Sequence, residues 1–141
     1  MVNTQSISDY ELEQRVAFAI AVGGYSAKLS DEELKSVRAT TLQRMVEEKI
    51  QLAEAKRLKI TVSPVEVNEQ IDAFLKDQAA SKEELSKVLA AAGTSLDTFR
   101  NQQIAFLAWQ KVIRDAFASE PVITPAMVED AMRRAVEGSN K

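Results

Sequence analysis

Residues 42–71 read LQRMVEEKIQLAEAKRLKITVSPVEVNEQI: one long amphipathic pattern, a short break, and the start of a second pattern. Leu42, Met45, Val46, Ile50 and Ala53 follow the i, i+3, i+4 spacing of a helical face, and Leu52 widens it. The break carries three β-branched residues, Ile60, Thr61 and Val62, which suit extended backbone. Ser63 then stands as N-cap, Pro64 takes the first helical position where its missing N–H costs nothing, and Glu66 completes a capping box. Two helices meeting at a sharp join are predicted, and the rest of the chain repeats that grammar.

Upstream, residues 2–7 alternate apolar and polar side chains, as a short strand or an extended arm would. Ser8 and Glu11 cap a helix through Leu12, Val16, Ala19 and Ile20 that stops at Gly23-Gly24. A loop over 25–29 leads to Ser30 and Glu33, which cap a helix over about residues 31–58. Its weakest point is the β-branched pair Thr40-Thr41, where it is expected to bend or divide. Downstream, Val67, Ile71, Phe74 and Leu75 form a third helix, and the Ser81/Glu84 box opens a fourth that stops at Gly93. Thr94 or Ser95 caps the fifth, over 96–117, and Thr124 with Pro125 begins a sixth carrying Val128, Ala131, Met132 and Ala135 on one face. The expected fold is all-α: an irregular bundle of about six helices with short extended segments at the arm and joins, and at most a strand pair from 2–7, 59–62 or 121–123. Residues 1–137 make one domain, with 138–141 a tail or a truncated linker. Acid-to-base pairs at i, i+4 (Glu11/Arg15, Asp31/Lys35, Glu83/Lys87, Glu129/Arg133, Asp130/Arg134) read as solvated helix faces.

Composition narrows the function. The 141 residues are 45% apolar and 28% charged, the balance of a single globular domain. With 21 acidic against 18 basic residues the net charge is -3, which disfavours a phosphate-neutralising surface, so no nucleic-acid partner is expected. No apolar run approaches the roughly 20 residues of a membrane span, and membrane insertion is not expected. Met1-Val2-Asn3 runs straight into polar residues, so an exported form would already have lost its leader.

Reaction chemistry is hard to build from this set. Without histidine or cysteine there is no Ser-His-Asp or Cys-His arrangement and no usual zinc site. The four glycines form neither a phosphate loop nor a dinucleotide fingerprint, and adjacent carboxylates such as Glu47-Glu48 diverge on a helix. The chain is read as not an enzyme, with no catalytic residues, no cofactor and no metal. Its fifth helix is unusually rich in large apolar side chains: Leu96, Phe99, Phe106, Ile113 and Phe117 share one stripe, flanked by Ile104, Leu107, Ala108 and Val112. Phe99 and Phe106 are expected in the core, whereas Trp109 and the loop residue Tyr25 suit either core or a binding surface.

The stretch 42–71 resembles the central signature of the SurA-type N-terminal chaperone domain. Glu48, Ile50, Leu52, Glu54, Ala55, Lys56, Arg57, Leu58 and Ile60 match its helix ending, and Val62, Ser63, Glu66 and Val67 match its restart. Val2-Asn3 with Ile7-Ser8 and Tyr10 to Arg15 is similar to the family's opening strand and first helix, Gly93 to Arg100 to one of its helix starts, and Val122-Ile123-Thr124 to its lead into the last helix. Lys59 departs from the pattern, standing where glycine is usual. Full-length members continue into parvulin-type prolyl isomerase domains; such a domain would begin near Gly138, and its histidine-dependent activity is not carried over to this chain.

The resemblance implies an ATP-independent periplasmic holdase that takes extended, aromatic-rich segments of unfolded outer-membrane proteins into an apolar groove. Phe18, Val22, Tyr25, Met45, Trp109, Met127 and Met132 are the candidate groove residues, because Met and aromatic side chains re-pack around many sequences. The alternative is a structural or assembly module binding one fixed partner or itself. Exchange of the N-terminal arm or last helix between copies would give a homodimer at little cost.

Overall fold

The computed structural model describes residues 7–23 and 28–139. Among the described residues are six helices and no strand: α1 (Asp9–Val22), α2 (Asp31–Arg57), α3 (Pro64–Asp77), α4 (Lys82–Ala92), α5 (Leu96–Ala116) and α6 (Pro125–Ser139). The expected all-α bundle is what forms; the joins expected as strands are irregular, and residues 2–6 of the arm lie outside the described residues. Helix α6 continues past Gly138, where a tail was expected to start.

Four helices begin on a Ser-x-x-Glu box, and every box closes in both directions. Ser8, Ser30, Ser63 and Ser81 each accept a hydrogen bond from the backbone N–H three residues on, while Glu11, Glu33, Glu66 and Glu84 accept from the serine's own N–H. Each such cap contributes about 1 kcal/mol. At α6 the Thr124 hydroxyl accepts from the Met127 N–H at 3.3 Å. Only Ser95, before α5, makes no side-chain cap.

Three helices stop in the same paired-bond turn with different residues at its left-handed position. The Thr94 N–H donates to the Leu89 carbonyl at 2.9 Å around Gly93 at φ 88°, as glycine predicts. After α2 the Ile60 N–H donates to Ala55 at 2.9 Å and the Lys59 N–H to Lys56 at 3.0 Å, with Lys59 itself at φ 61°. After α3 the Ala80 N–H donates to Leu75 at 3.0 Å around Ala79 at φ 53°. The missing glycine at position 59 therefore does not change the stop; it adds about 1 kcal/mol of backbone strain.

The 27-residue α2 is continuous through Thr40-Thr41 and about 40 Å long. Thr41 is buried, so packing offsets the weak local propensity. Around α2 sit α5, α1 and α6. The main core joins α1, α3, α4 and α5 through Phe18, Val67, Ile71, Leu75, Leu85, Leu89 and Phe99. Phe99 stacks at a tilt on Phe18, centroids 5.2 Å apart, and takes the edge of Phe74 at 4.9 Å. A second cluster, Ala55, Ala108 and Val112, closes α2 on α5, with Leu52, Ile60 and Trp109 packed beside it.

Two expected faces come out differently. On α2, Met45 and Ile50 are buried, but they lie about 140° apart around the helix. Leu42, Val46 and Ala53 fall between them and are exposed. A helix with neighbours on three sides has no single inner stripe. On α5, Phe106 is 47% exposed, and the inward line is Thr98, Ala105, Ala108 and Val112. These small side chains let the α2 backbone approach, leaving the bulky phenyl ring outside.

Candidate functional site

Helix α1 is fixed to α2 by charge as well as packing. Arg15 forks onto Glu48 through two bonds of 2.6 and 2.7 Å, with only 11% of the Arg15 side chain exposed. Lys49 approaches Glu11 at 3.6 Å, and Arg38 pairs with Glu13. The expected i, i+4 pair Glu11/Arg15 is thus replaced by contacts across the seam; Asp130–Arg134 does form, at 2.8 Å. Bidentate guanidinium–carboxylate geometry explains the preference. The Glu11 carboxyl is held below the usual carboxylate range, first by the Ser8 N–H and then by Lys49.

An opening of about 540 Å³ lies between α1, α2 and α5. Its wall includes the Arg15–Glu48 fork, Gln14, Thr98 and Asn101, with Tyr10 at an exposed rim. Gln14 is committed: its amide donates to the Gly93 carbonyl at 3.0 Å and its oxygen accepts from Thr98 at 3.4 Å. Met45, Leu52 and Ile104 share the wall with these polar groups, so the opening is mixed in character. On the α3–α5 side, Lys111 is likewise occupied, pairing with Glu66 at 2.6 Å and donating to the Thr61 carbonyl at 2.8 Å. That lysine, followed by the Ser63 N–H, holds the Glu66 carboxyl at about 2. No group of three carboxylate, histidine or cysteine side chains suited to a metal occurs among the described residues.

The seven groove candidates do not converge. Phe18 and Met45 are 4% and 5% exposed and belong to the core, though each reaches the wall of an opening, Phe18 in the crease beside Val22 and Met45 between α1, α2 and α5. Tyr25 lies outside the described residues. Val22 is exposed at the end of α1, beside Val37 and Thr40 in a crease of about 330 Å³. Trp109 is half-buried and lines a groove of about 340 Å³ between α2 and α5, with Phe106, Arg44, Glu47 and Gln51. Met132 meets that groove's edge, its sulfur accepting from the Gln51 amide at 3.7 Å. Met127 turns inward on its own cap, its sulfur 3.3 Å from the Thr124 N–H.

What the candidate set lacked is the apolar surface itself: Leu42 (41% exposed), Val46 (37%) and Phe106. All three were assigned to packing because they match a helical stripe, and periodicity alone does not say which stripe faces water. A family model for the SurA-like N-terminal domain matches residues 1–113. The chain belongs to that family. The match spans α1 to α4 and most of α5; α6 lies beyond it, and no parvulin domain is matched. Comparison with curated proteins and with solved structures returns no match. SurA-like N-terminal domains are non-catalytic chaperone modules. No helix among the described residues is long and apolar enough to cross a membrane.

Proposed function

We propose that this SurA-like domain is an ATP-independent periplasmic holdase that shields apolar, aromatic-rich segments of unfolded outer-membrane proteins and catalyses nothing. The observation that carries the reading is exposed apolar side chains on two helices: Leu42 and Val46 in a row on α2, and Phe106 beside the half-buried Trp109 on α5. Unfolded barrel strands alternate apolar and polar residues and aggregate through them before insertion. An open surface of this kind covers such segments weakly and with little sequence preference. The test is light scattering from a urea-unfolded outer-membrane barrel protein diluted into buffer without ATP. A stoichiometric amount of the domain should slow aggregation several-fold, with no acceleration of prolyl isomerisation in a peptide assay. Undiminished aggregation at stoichiometric concentration would reject the reading. Phe106→Ser should weaken the protection with little change in Tm.

A further inference from the structure

Helix α6 lies across the surface just described. Gln51 lines the Phe106/Trp109 groove on one side and bonds Met132 of α6 on the other, and Gly138 lies over Glu54 at the next turn of α2. Around the α2 axis, Glu54 and Gln51 mark the flank under α6, while Leu42, Val46 and Ala53 follow immediately on its far side. Helix α6 thus stands between two places where apolar side chains meet solvent: the groove where Phe106 and Trp109 lie among polar residues of α2 and α5, and the Leu42/Val46 row.

Its hold is slight. Among the described side chains of α6, Ala131 and Ala135 are the buried ones, with Met127, Val128, Met132 and Val136 half-buried. Among the described residues the ion pairs of α6 join Asp130 to Arg133 and Arg134, within the helix. From Ala118 through Ala126 every residue is exposed, which leaves the connection to α5 free to swing. Segments with few buried apolar contacts open at a small fraction of the global unfolding free energy.

We propose that α6 is a resident occupant of the client surface: it opens as a unit, and an apolar client segment takes its seat on α2 and α5. The chemistry of the ligand is read from what already fits: a segment with small and medium-sized apolar side chains on one side, as Val128, Ala131, Met132, Ala135 and Val136 are, and polar groups on the other. Opening joins the Phe106/Trp109 groove to the Leu42/Val46 row. The client then covers a longer surface than α6 did, and this offsets the loss of the intramolecular helix. The inference rests on the holdase reading and adds to it the site and its regulation.

The absence of cysteine makes the test clean. Gln51→Cys with Met132→Cys, joined by a short bis-maleimide, ties α6 down; the same double variant without the linker is the control, and circular dichroism checks both. The first readout needs no client: a fluorescein-labelled peptide of residues 125–139 should bind the unlinked full chain by anisotropy, and linking should weaken it at least tenfold. The second is aggregation of the urea-unfolded barrel protein, where linking should reduce protection several-fold. A peptide that fails to bind, or protection unchanged by the link, overturns the inference and leaves the holdase standing. Absence of protection by the wild-type chain rejects the holdase and with it the client assignment, whatever the peptide does. Covalent dimers as the main linked product would give the seat to a second copy exchanging α6 and overturn the client assignment.

Discussion

Helices α1 and α6 are near equals in length, 14 and 15 residues, and both lie along α2. They are held by different means. Helix α1 places Phe18 and Val16 in the interior and crosses to α2 with the Arg15–Glu48 fork and two further ion pairs. Helix α6 buries two alanines and keeps its charges to itself. Large side chains and charge forks fix a helix to one partner in one register. A row of small apolar residues makes a contact that many sequences can imitate, and that is the property a reversible surface needs.

The largest test of this contrast removes one anchor from each helix. Phe18→Ala should cost about 3–5 kcal/mol of stability, and Met132→Ala, half-buried on α6, only about 1, both read from urea unfolding. A comparable loss at the two sites would make α6 as structural as α1. Native-state hydrogen exchange comes next: α6 amides should exchange about a hundredfold faster than those in the middle of α1, because local opening exposes them first. Equal protection in the two helices would remove the distinction.

Charge gives a smaller effect. Glu48→Gln leaves the nearly buried Arg15 guanidinium without its anion and should cost about 2 kcal/mol, short of the full penalty for a completely buried pair. Replacing both partners, Arg15→Met with Glu48→Leu, should recover most of that loss, and no charge change on α6 should match it. Lys59→Gly relieves the left-handed lysine after α2 and should raise stability by about 1 kcal/mol, with Gly93→Ala costing a similar amount. Since α2 carries both flanking helices, the gain at Lys59 should slow global exchange and leave α6 opening unchanged.

Acid should narrow the gap between the two helices slightly. The Glu11 and Glu66 carboxyls are depressed in the folded state, Glu66 to about 2, so their contributions are present above about 4.5 and fade as pH falls. Glu11 serves the α1 cap and its seam with α2, whereas the ion pairs of α6 among the described residues stay within that helix. Exchange from α1 should therefore accelerate between pH 5 and about 3 more than exchange from α6.

Helix starts and stops were legible in the sequence because their instructions are local. Ser8, Ser30, Ser63 and Ser81 each find their partner three residues away, so a window of four residues contains the whole device. Sidedness was not local. The partner of Arg15 is 33 residues downstream, and whether Leu42 and Val46 meet solvent depends on which flanks of α2 its neighbouring helices cover. Phe106 points the same way: its neighbours Ala105 and Ala108 seat α5 on α2, and a pattern that scores hydrophobicity ranks the ring above the alanines. The Gln51–Met132 contact spans 81 positions between residue types that mark no pairing.

The capping boxes have a further consequence, for how the chain acquires its shape. Four of six helices carry a self-contained start, and three carry a stop whose bonds reach no further than five residues back. Segment lengths are therefore specified before any helix meets another, and assembly reduces to docking preformed rods. Chains organised this way have low contact order and fold in microseconds to milliseconds. Such a chain spends little time unfolded, with its own apolar residues open to other chains.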